Sequence, residues 1–198
     1  MINLEVYDIF EENKTTFKET SKDDSDASQI QYMTESERRV IDFDAVKTCY
    51  ANRLGCTEET AASADALTVL KNRITFVEFK NGKVNNRNVK DKLRDSLLIF
   101  CDIVGKTITY TRENIDFMVV YNLEKNPLPN QMKKGKMQES PSRIAIGEYF
   151  SAKAKEDFIL FDLGRYEKIY FRKIYTITKE KFEEYLQEYG LKNNIRCI

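Results

Sequence analysis

Three ionisable residues in two neighbouring segments have the types and spacing needed for metal-dependent chemistry. Asp65 lies near the start of the run ADALTVL, and Glu78 and Lys80 lie two residues apart at the end of RITFVEFK. In an extended strand, Glu78 and Lys80 point to the same face. Carboxylate and carbonyl oxygens suit Mg²⁺ or Mn²⁺, so Asp65, Glu78 and the Phe79 carbonyl are candidate ligands. A metal-bound water beside a lysine is suited to attack on a phosphoryl group.

Other hydrolytic chemistries are excluded by composition. The chain of 198 residues contains no histidine, which removes Ser–His–Asp and Cys–His sites, histidine-bound zinc and histidine acid–base catalysis. The four cysteines, Cys49, Cys56, Cys101 and Cys197, do not have the spacing of a metal site. Hydrolysis by this chain must therefore rest on carboxylates, lysine, hydroxyl groups and a hard metal ion.

The overall charge neither requires nor excludes a nucleic-acid partner. Lysine plus arginine and aspartate plus glutamate each number 32, so a nucleic-acid binder of this composition must separate its charges into patches. The N-terminal MINLEVYDIFEEN is acidic and does not resemble a signal peptide, and no apolar run approaches the roughly 20 residues of a membrane span. We therefore expect a cytoplasmic protein without a membrane partner.

A β-hairpin must bring Asp65 to the other two residues. The two runs have strand length, are rich in β-branched and aromatic residues, and meet around Lys71-Asn72, which predicts a hairpin. A two-residue loop at Lys71-Asn72 places Asp65 opposite Glu78, and a loop shifted by one residue places it opposite Lys80. Both registers keep the three side chains on one face, with opposed Cβ atoms about 5 Å apart. A three-residue loop would turn Asp65 to the other face.

Flanking elements must hold this hairpin in a sheet. Apolar residues at three- and four-residue spacing predict a helix over 88–105 that ends at Gly105. The segment 114–122 is apolar on both faces, which predicts a buried central strand. Residues 35–54 favour a helix that stops before Gly55, and no separate strand is predicted between residue 35 and the hairpin.

The C-terminal third predicts an extension of the form helix, strand, helix. Residues 123–143 form a long loop with the basic cluster KKGK (133–136), which either grips phosphates or is a solvated charged loop. A helix opens at Ser140-Pro141, a strand covers 167–178, and a last helix starts at Thr178. The predicted class is mixed α/β, with a central mixed sheet flanked by helices.

The sequence Asp65 followed by Glu78-Phe79-Lys80, then the FKNG turn and an amphipathic helix, resembles the PD-(D/E)xK nuclease superfamily. The resemblance covers about residues 36–122. It implies a restriction-endonuclease-like core, with residues 1–35 and 123–198 as extensions of one domain spanning 1–198. It also implies that Asp65 and Glu78 bind Mg²⁺ or Mn²⁺ and that Lys80 is the catalytic lysine.

Many members of this superfamily add an acidic ligand from their first helix. Glu37 is the first candidate for that role here, and Glu35, Asp42 and Asp44 compete with it. On the helix over 88–105, Lys92, Arg94 and Asp95 are expected to form a solvated face rather than to reach the substrate.

Three hypotheses follow. The first is an enzyme, a metal-dependent nuclease that hydrolyses phosphodiester bonds, with DNA as the expected partner and a homodimer left open. The second is a catalytically inactive, nuclease-like binding or regulatory module of a mobile element or defence system. The third is a protein in which Asp65, Glu78 and Lys80 form only a structural salt bridge.

Overall fold

A six-stranded mixed sheet forms the centre of the protein. The computed structural model describes residues 2–24, 28–127 and 159–194. The strands of the central sheet, in spatial order, are β1 (Lys14–Thr16), β4 (Arg39–Asp42), β5 (Ala66–Leu70), β6 (Arg73–Lys80), β7 (Ile115–Tyr121) and β8 (Lys173–Thr178). Neighbours are antiparallel from β1 to β6, whereas β6, β7 and β8 run parallel. Two short strands, β2 (Lys22–Asp23) and β3 (Gln31–Tyr32), pair separately.

Helices cover both faces of this sheet, as the sequence predicts. Within the described ranges they are α1 (Asp8–Glu11), α2 (Phe17–Thr20), α3 (Phe43–Arg53), α4 (Asn86–Val104), α5 (Ile108–Asn114) and α6 (Lys179–Asn194). Buried residues of α1, α3 and α4 pack on one face of the sheet. Buried residues of α2 and α6 pack on the other face. None of the helices in these ranges combines the length and the apolar composition needed to cross a bilayer.

The predicted hairpin is present, and its turn fixes the register. Lys71 and Asn72 both adopt positive φ, 47° and 58°, as the two central residues of a type I′ turn do. Leu70 pairs with Arg73, which is the first of the two registers considered. Because β5 and β6 keep this pairing without a bulge, Asp65 lies opposite Glu78 at the start of the hairpin.

The helix after the hairpin and the strand that follows it are also confirmed. Helix α4 starts after Asn85, whose side chain accepts hydrogen bonds from two first-turn N–H groups, and it ends at Gly105 with a φ of 62°. Strand β7 lies between β6 and β8, and all seven of its residues are buried. Its apolar character on both faces follows from that central, parallel position.

The prediction of a helix over 35–54 was wrong in its first part. Residues Arg39–Asp42 form β4, which pairs with β1 and β5, and the helix begins only at Phe43. The Asp42 side chain accepts a hydrogen bond from the Ala45 N–H and caps α3. An N-cap residue has non-helical backbone, so the helix cannot extend before Asp42. The preceding residues are strand because they pair with β1 and β5.

The C-terminal prediction is confirmed in part. The strand covers Lys173–Thr178 instead of 167–178, because residues 167–172 form a tight turn in which Lys168 has a φ of 63°. The last helix begins at Lys179, next to the predicted start. The KKGK cluster and the helix predicted from Ser140 lie outside the described residues.

Candidate active site

Strands β5 and β6 bring Asp65 and Glu78 together at the edge of the α3–α4 face of the sheet. Glu78 alternates with Ile74 and Phe76 on that face, and 0% of its surface is exposed. Asp65 directly precedes β5 and is opposite Glu78 by the hairpin register. The sequence therefore folds into the arrangement that it predicts, a buried carboxylate with a second carboxylate beside it.

A single ammonium group lies between these two carboxylates. The Lys92 Nζ is 2.9 Å from the Asp65 Oδ1 and 3.0 Å from the Glu78 Oε1, and it donates to the Glu78 Oε2 at 3.1 Å. Two acidic groups that would otherwise repel each other thus converge on one cation position.

Lys80 completes the predicted trio. Its Nζ lies 2.8 Å from the Glu78 Oε1 and donates to the Asn88 Oδ1 at 3.0 Å. Its side chain is 21% exposed, so the ammonium lies at the border between the buried carboxylate and solvent. Asn88 is in the first turn of α4, and this contact ties the end of β6 to that helix.

The backbone of Phe79 orients the Asp65 carboxylate. The Phe79 N–H donates to the Asp65 Oδ2 at 2.6 Å. A residue in a strand presents its N–H and its carbonyl to the same neighbouring strand, so the Phe79 carbonyl faces the Asp65 side as well. The Phe79 ring points to the opposite face of the sheet, where it packs against Phe17 and Phe182.

These groups open into a cleft of about 540 Å³. Asp65, Phe79, Lys80 and Lys92 line it from the sheet and α4. Further charged side chains line the rest of the cleft: Glu19, Lys22, Asp23, Asp24, Asp42, Asp44 and Lys83. Asp65 is thus reached directly from the cleft, whereas the fully buried Glu78 lies behind the residues that line it.

Helix α3 contributes an acid to the cleft, and that acid is Asp44. Asp44 lines the cleft, accepts a hydrogen bond from the Ser63 hydroxyl, and acts through its charge on Asp65 and Lys92. Glu37, the first candidate, is exposed in the loop before β4, where its charge acts on Lys18. The structure does not bring Glu37 to the other predicted site residues.

The two other candidates for the acidic ligand from the first helix, Glu35 and Asp42, have different roles. Glu35 forms an ion pair with Lys18 at 2.9 Å. Asp42 lines the cleft, but its carboxylate caps α3. Burial raises the pKa of Asp42 above its ordinary value, against the effect of its hydrogen bonds to the helix N–H groups.

The donor set fits a divalent cation in three respects. Two carboxylates converge, the Lys92 ammonium already stands where a cation would bind, and the buried Glu78 Oε1 contacts two ammonium groups, that of Lys80 at 2.8 Å and that of Lys92 at 3.0 Å. The acidic side chains of those ranges do not form a preassembled group of three ligands. Backbone carbonyl and water would have to complete the shell, as is usual for Mg²⁺.

Burial shifts the protonation equilibria of this cluster. It raises the pKa of Asp65 from 3.8 to about 8; the Glu78 charge adds to the rise, and the Lys92 charge and the Phe79 N–H oppose it. Burial lowers the pKa of Lys92, but the charges of Asp65 and Glu78 outweigh it, and the net pKa is raised. Lys92 therefore stays charged, whereas Asp65 carries an energetic cost when it ionises.

This shift predicts a pH dependence of stability. Because its folded-state pKa lies above its ordinary value, Asp65 contributes stability that is complete below about pH 4 and is lost as the pH rises to about 8. Asp65→Asn removes this titration with little change of shape. Melting temperatures between pH 5 and pH 8 should therefore fall more steeply for the parent than for Asp65→Asn. Parallel profiles would show that Asp65 titrates normally.

The sequence prediction missed Lys92, which was expected on a solvated face. Its side chain is only 17% exposed because α4 crosses the sheet above the two carboxylates. Asp95 is also engaged and accepts a hydrogen bond from the Ala62 N–H, whereas Arg94 is exposed as expected. One signal was available: Lys92 is three residues after the buried Val89 and four before the buried Ser96, at the border of the apolar stripe.

Comparison with known proteins identifies no relative of this chain. No protein-family model matches the chain, and no curated protein or solved structure matches it at a significant level.

Proposed function

We propose that the chain is a divalent-metal-dependent nuclease that hydrolyses phosphodiester bonds, with DNA as the first substrate to test. The observation that carries this proposal is the convergence of Asp65 and Glu78 on one cation position, with the Lys80 ammonium 2.8 Å from Glu78. Placing two carboxylates and two ammonium groups at a strand end is costly in free energy. Such a cluster at an open cleft is typical of a functional site.

The order of elements supports a restriction-endonuclease-like core. Helix α3, the hairpin β5–β6, helix α4 and the strand β7 occur in the order expected from the PD-(D/E)xK resemblance, with the short helix α5 between α4 and β7. The acidic and lysine residues lie where the hairpin starts and ends, as that resemblance requires. Strand β4 lies beside β5 in space but precedes α3 in the chain.

Each residue has a role in this proposal. Asp65, Glu78 and the Phe79 carbonyl would hold Mg²⁺ or Mn²⁺, with Asp44 as the acid from the first helix. The ion would supply Lewis-acid stabilisation and a water of lowered pKa. Lys80 would orient the attacking water and neutralise charge on the phosphoryl oxygens. Burial of Glu78 and the backbone hydrogen bond to Asp65 hold these groups in place before substrate arrives.

One observation favours the alternative of an inactive, nuclease-like binding or regulatory module. Lys92 and Lys80 together neutralise Asp65 and Glu78 without any metal. A site that evolved only for packing or for partner binding would be stable with these two lysines as the counter-ions of the carboxylates.

Cleavage assays separate the two functions. We expect purified protein to nick supercoiled plasmid with Mg²⁺ or Mn²⁺ and to stop when EDTA is added. Single-stranded DNA, duplex DNA and RNA of matched sequence define the substrate class. No cleavage of any of these substrates with either metal, together with a melting temperature that neither metal changes, would contradict the nuclease proposal and favour the inactive module.

A further inference from the structure

We propose that Lys92 is a built-in counter-ion that occupies the divalent-cation position and must leave it before a metal can bind. This inference rests on the proposed function and adds a regulatory property to the same site. In this view Lys92 sets the metal concentration at which the enzyme becomes loaded. It is a positioning residue, since it keeps the two carboxylates together until the ion replaces it.

The geometry places the ammonium and the expected ion in the same space. Lys92 Nζ contacts Asp65 at 2.9 Å and Glu78 at 3.0 Å, so it lies between the oxygens that a metal would bind. Mg²⁺ requires its oxygen ligands at about 2.0–2.1 Å. An ion drawn in by these two carboxylates would therefore lie within a few ångströms of the ammonium, where two cations repel strongly in a partly buried site.

Each carboxylate keeps another partner when Lys92 leaves. The Phe79 N–H still donates to Asp65, and the Lys80 ammonium still lies beside Glu78. When Lys92 leaves, neither carboxylate is therefore left without a contact. These second partners would hold both carboxylates in place while the ion replaces Lys92.

The Lys92 side chain also has open space into which it can move. It lines the open cleft, and 17% of its side chain is already exposed. Its stem has several rotatable bonds, and its ammonium is readily hydrated. The side chain can thus vacate the position by rotation, without movement of α4.

Metal binding to variants of the full chain tests this inference directly. Titration with Mn²⁺, followed by electron paramagnetic resonance, reports binding without reference to cleavage. Lys92→Met and Lys92→Gln remove the competing charge, and we expect both to bind Mn²⁺ at least about tenfold more tightly than the parent. Lys92→Arg keeps the charge and should bind no more tightly than the parent.

Lys83→Met is the matched control, because Lys83 is an exposed lysine that lines the same cleft. If Lys92 acts by direct occupancy, Lys83→Met should change Mn²⁺ affinity by less than about threefold, as expected for a solvent-screened charge. An equal gain in Lys83→Met and Lys92→Met would show that only the general charge of the cleft matters and would overturn the inference.

The remaining outcomes also decide between the two proposals. A parent that binds Mn²⁺ and neutral Lys92 variants that bind it equally or more weakly overturn the inference but leave the nuclease proposal standing. Absence of Mn²⁺ binding in every variant contradicts the metal-dependent function itself. If Lys92→Met does not fold, Lys92→Gln decides, since its amide can still donate to a carboxylate. Loss of the fold in both would make Lys92 a purely structural counter-ion.

Discussion

Glu78→Gln should lower metal-dependent cleavage by about a hundredfold or more while the chain stays folded. Glutamine has nearly the same shape as glutamate but carries no charge, so the buried position keeps its packing and loses an anionic ligand. Because a buried carboxylate is costly to desolvate, and Lys92 retains its contact with Asp65, the melting temperature should be unchanged or raised.

The measurement is the rate of plasmid nicking at saturating Mg²⁺, with circular dichroism to verify folding. Glu113→Gln serves as the matched control, since Glu113 is an exposed glutamate on α5. Lys80→Ala should also abolish cleavage but should retain Mn²⁺ binding, which distinguishes a catalytic lysine from a metal ligand. Full activity of Glu78→Gln would show that the active site lies elsewhere in the chain. If the parent does not cleave and these variants lose much stability, the cluster would instead be a structural salt bridge.

The part of the site formed by the hairpin could be predicted because its geometry is local. Two residues with positive φ, Lys71 and Asn72, make a tight turn, and a tight turn fixes which residues are opposite one another over the whole hairpin. The face shared by Asp65, Glu78 and Lys80 follows from strand alternation alone. The same holds for α4, whose apolar spacing and terminal glycine define it without reference to the rest of the fold.

The first strand beside the hairpin could not be predicted for a physical reason. Strand β4 has four residues, of which Val40 and Ile41 are buried on opposite faces. Two adjacent apolar residues fit a helix and a strand equally well. The pairing of β4 with β1 and β5 decides between them, and that pairing joins segments far apart in the sequence.

The sequence does not predict Lys92 as a site residue and gives Asp44 only as a competitor of Glu37, because the place of both residues in the site depends on how helices cross the sheet. Lys92 reaches the carboxylates because α4 passes over the end of β6. Asp44 lies in the first turn of α3, two residues after the Asp42 cap, and lines the cleft. The only local signal for Lys92 is its position at the border of the apolar stripe of α4, and that position does not specify which groups its side chain reaches. A helix over 35–54 would include Glu37, whereas in the structure Glu37 precedes β4 and lies outside α3.

Phe76→Ala should cost about 3–5 kcal/mol of unfolding free energy, the largest loss expected of a single substitution at this face of the sheet. Phe76 is completely buried in β6, and its ring contacts those of Phe43, Phe100, Phe117 and Phe171 at centroid distances of 4.9, 5.8, 6.4 and 6.4 Å. These rings belong to α3, α4, β7 and the turn before β8. Truncation of Phe76 therefore leaves a cavity where all of these elements meet.

Urea denaturation of Phe76→Ala, Phe76→Leu and Leu98→Ala measures this cost. Phe76→Leu should lose less because it fills more of the cavity, and Leu98→Ala should lose little because Leu98 is 60% exposed on α4. A loss below about 1 kcal/mol in Phe76→Ala would contradict the central position of this ring. If the nuclease proposal is correct, saturating Mn²⁺ should raise the stability of Phe76→Ala as it does that of the parent, because the ion binds only the folded chain. This result would show that the site at Glu78, two residues after Phe76 in β6, forms without the Phe76 ring.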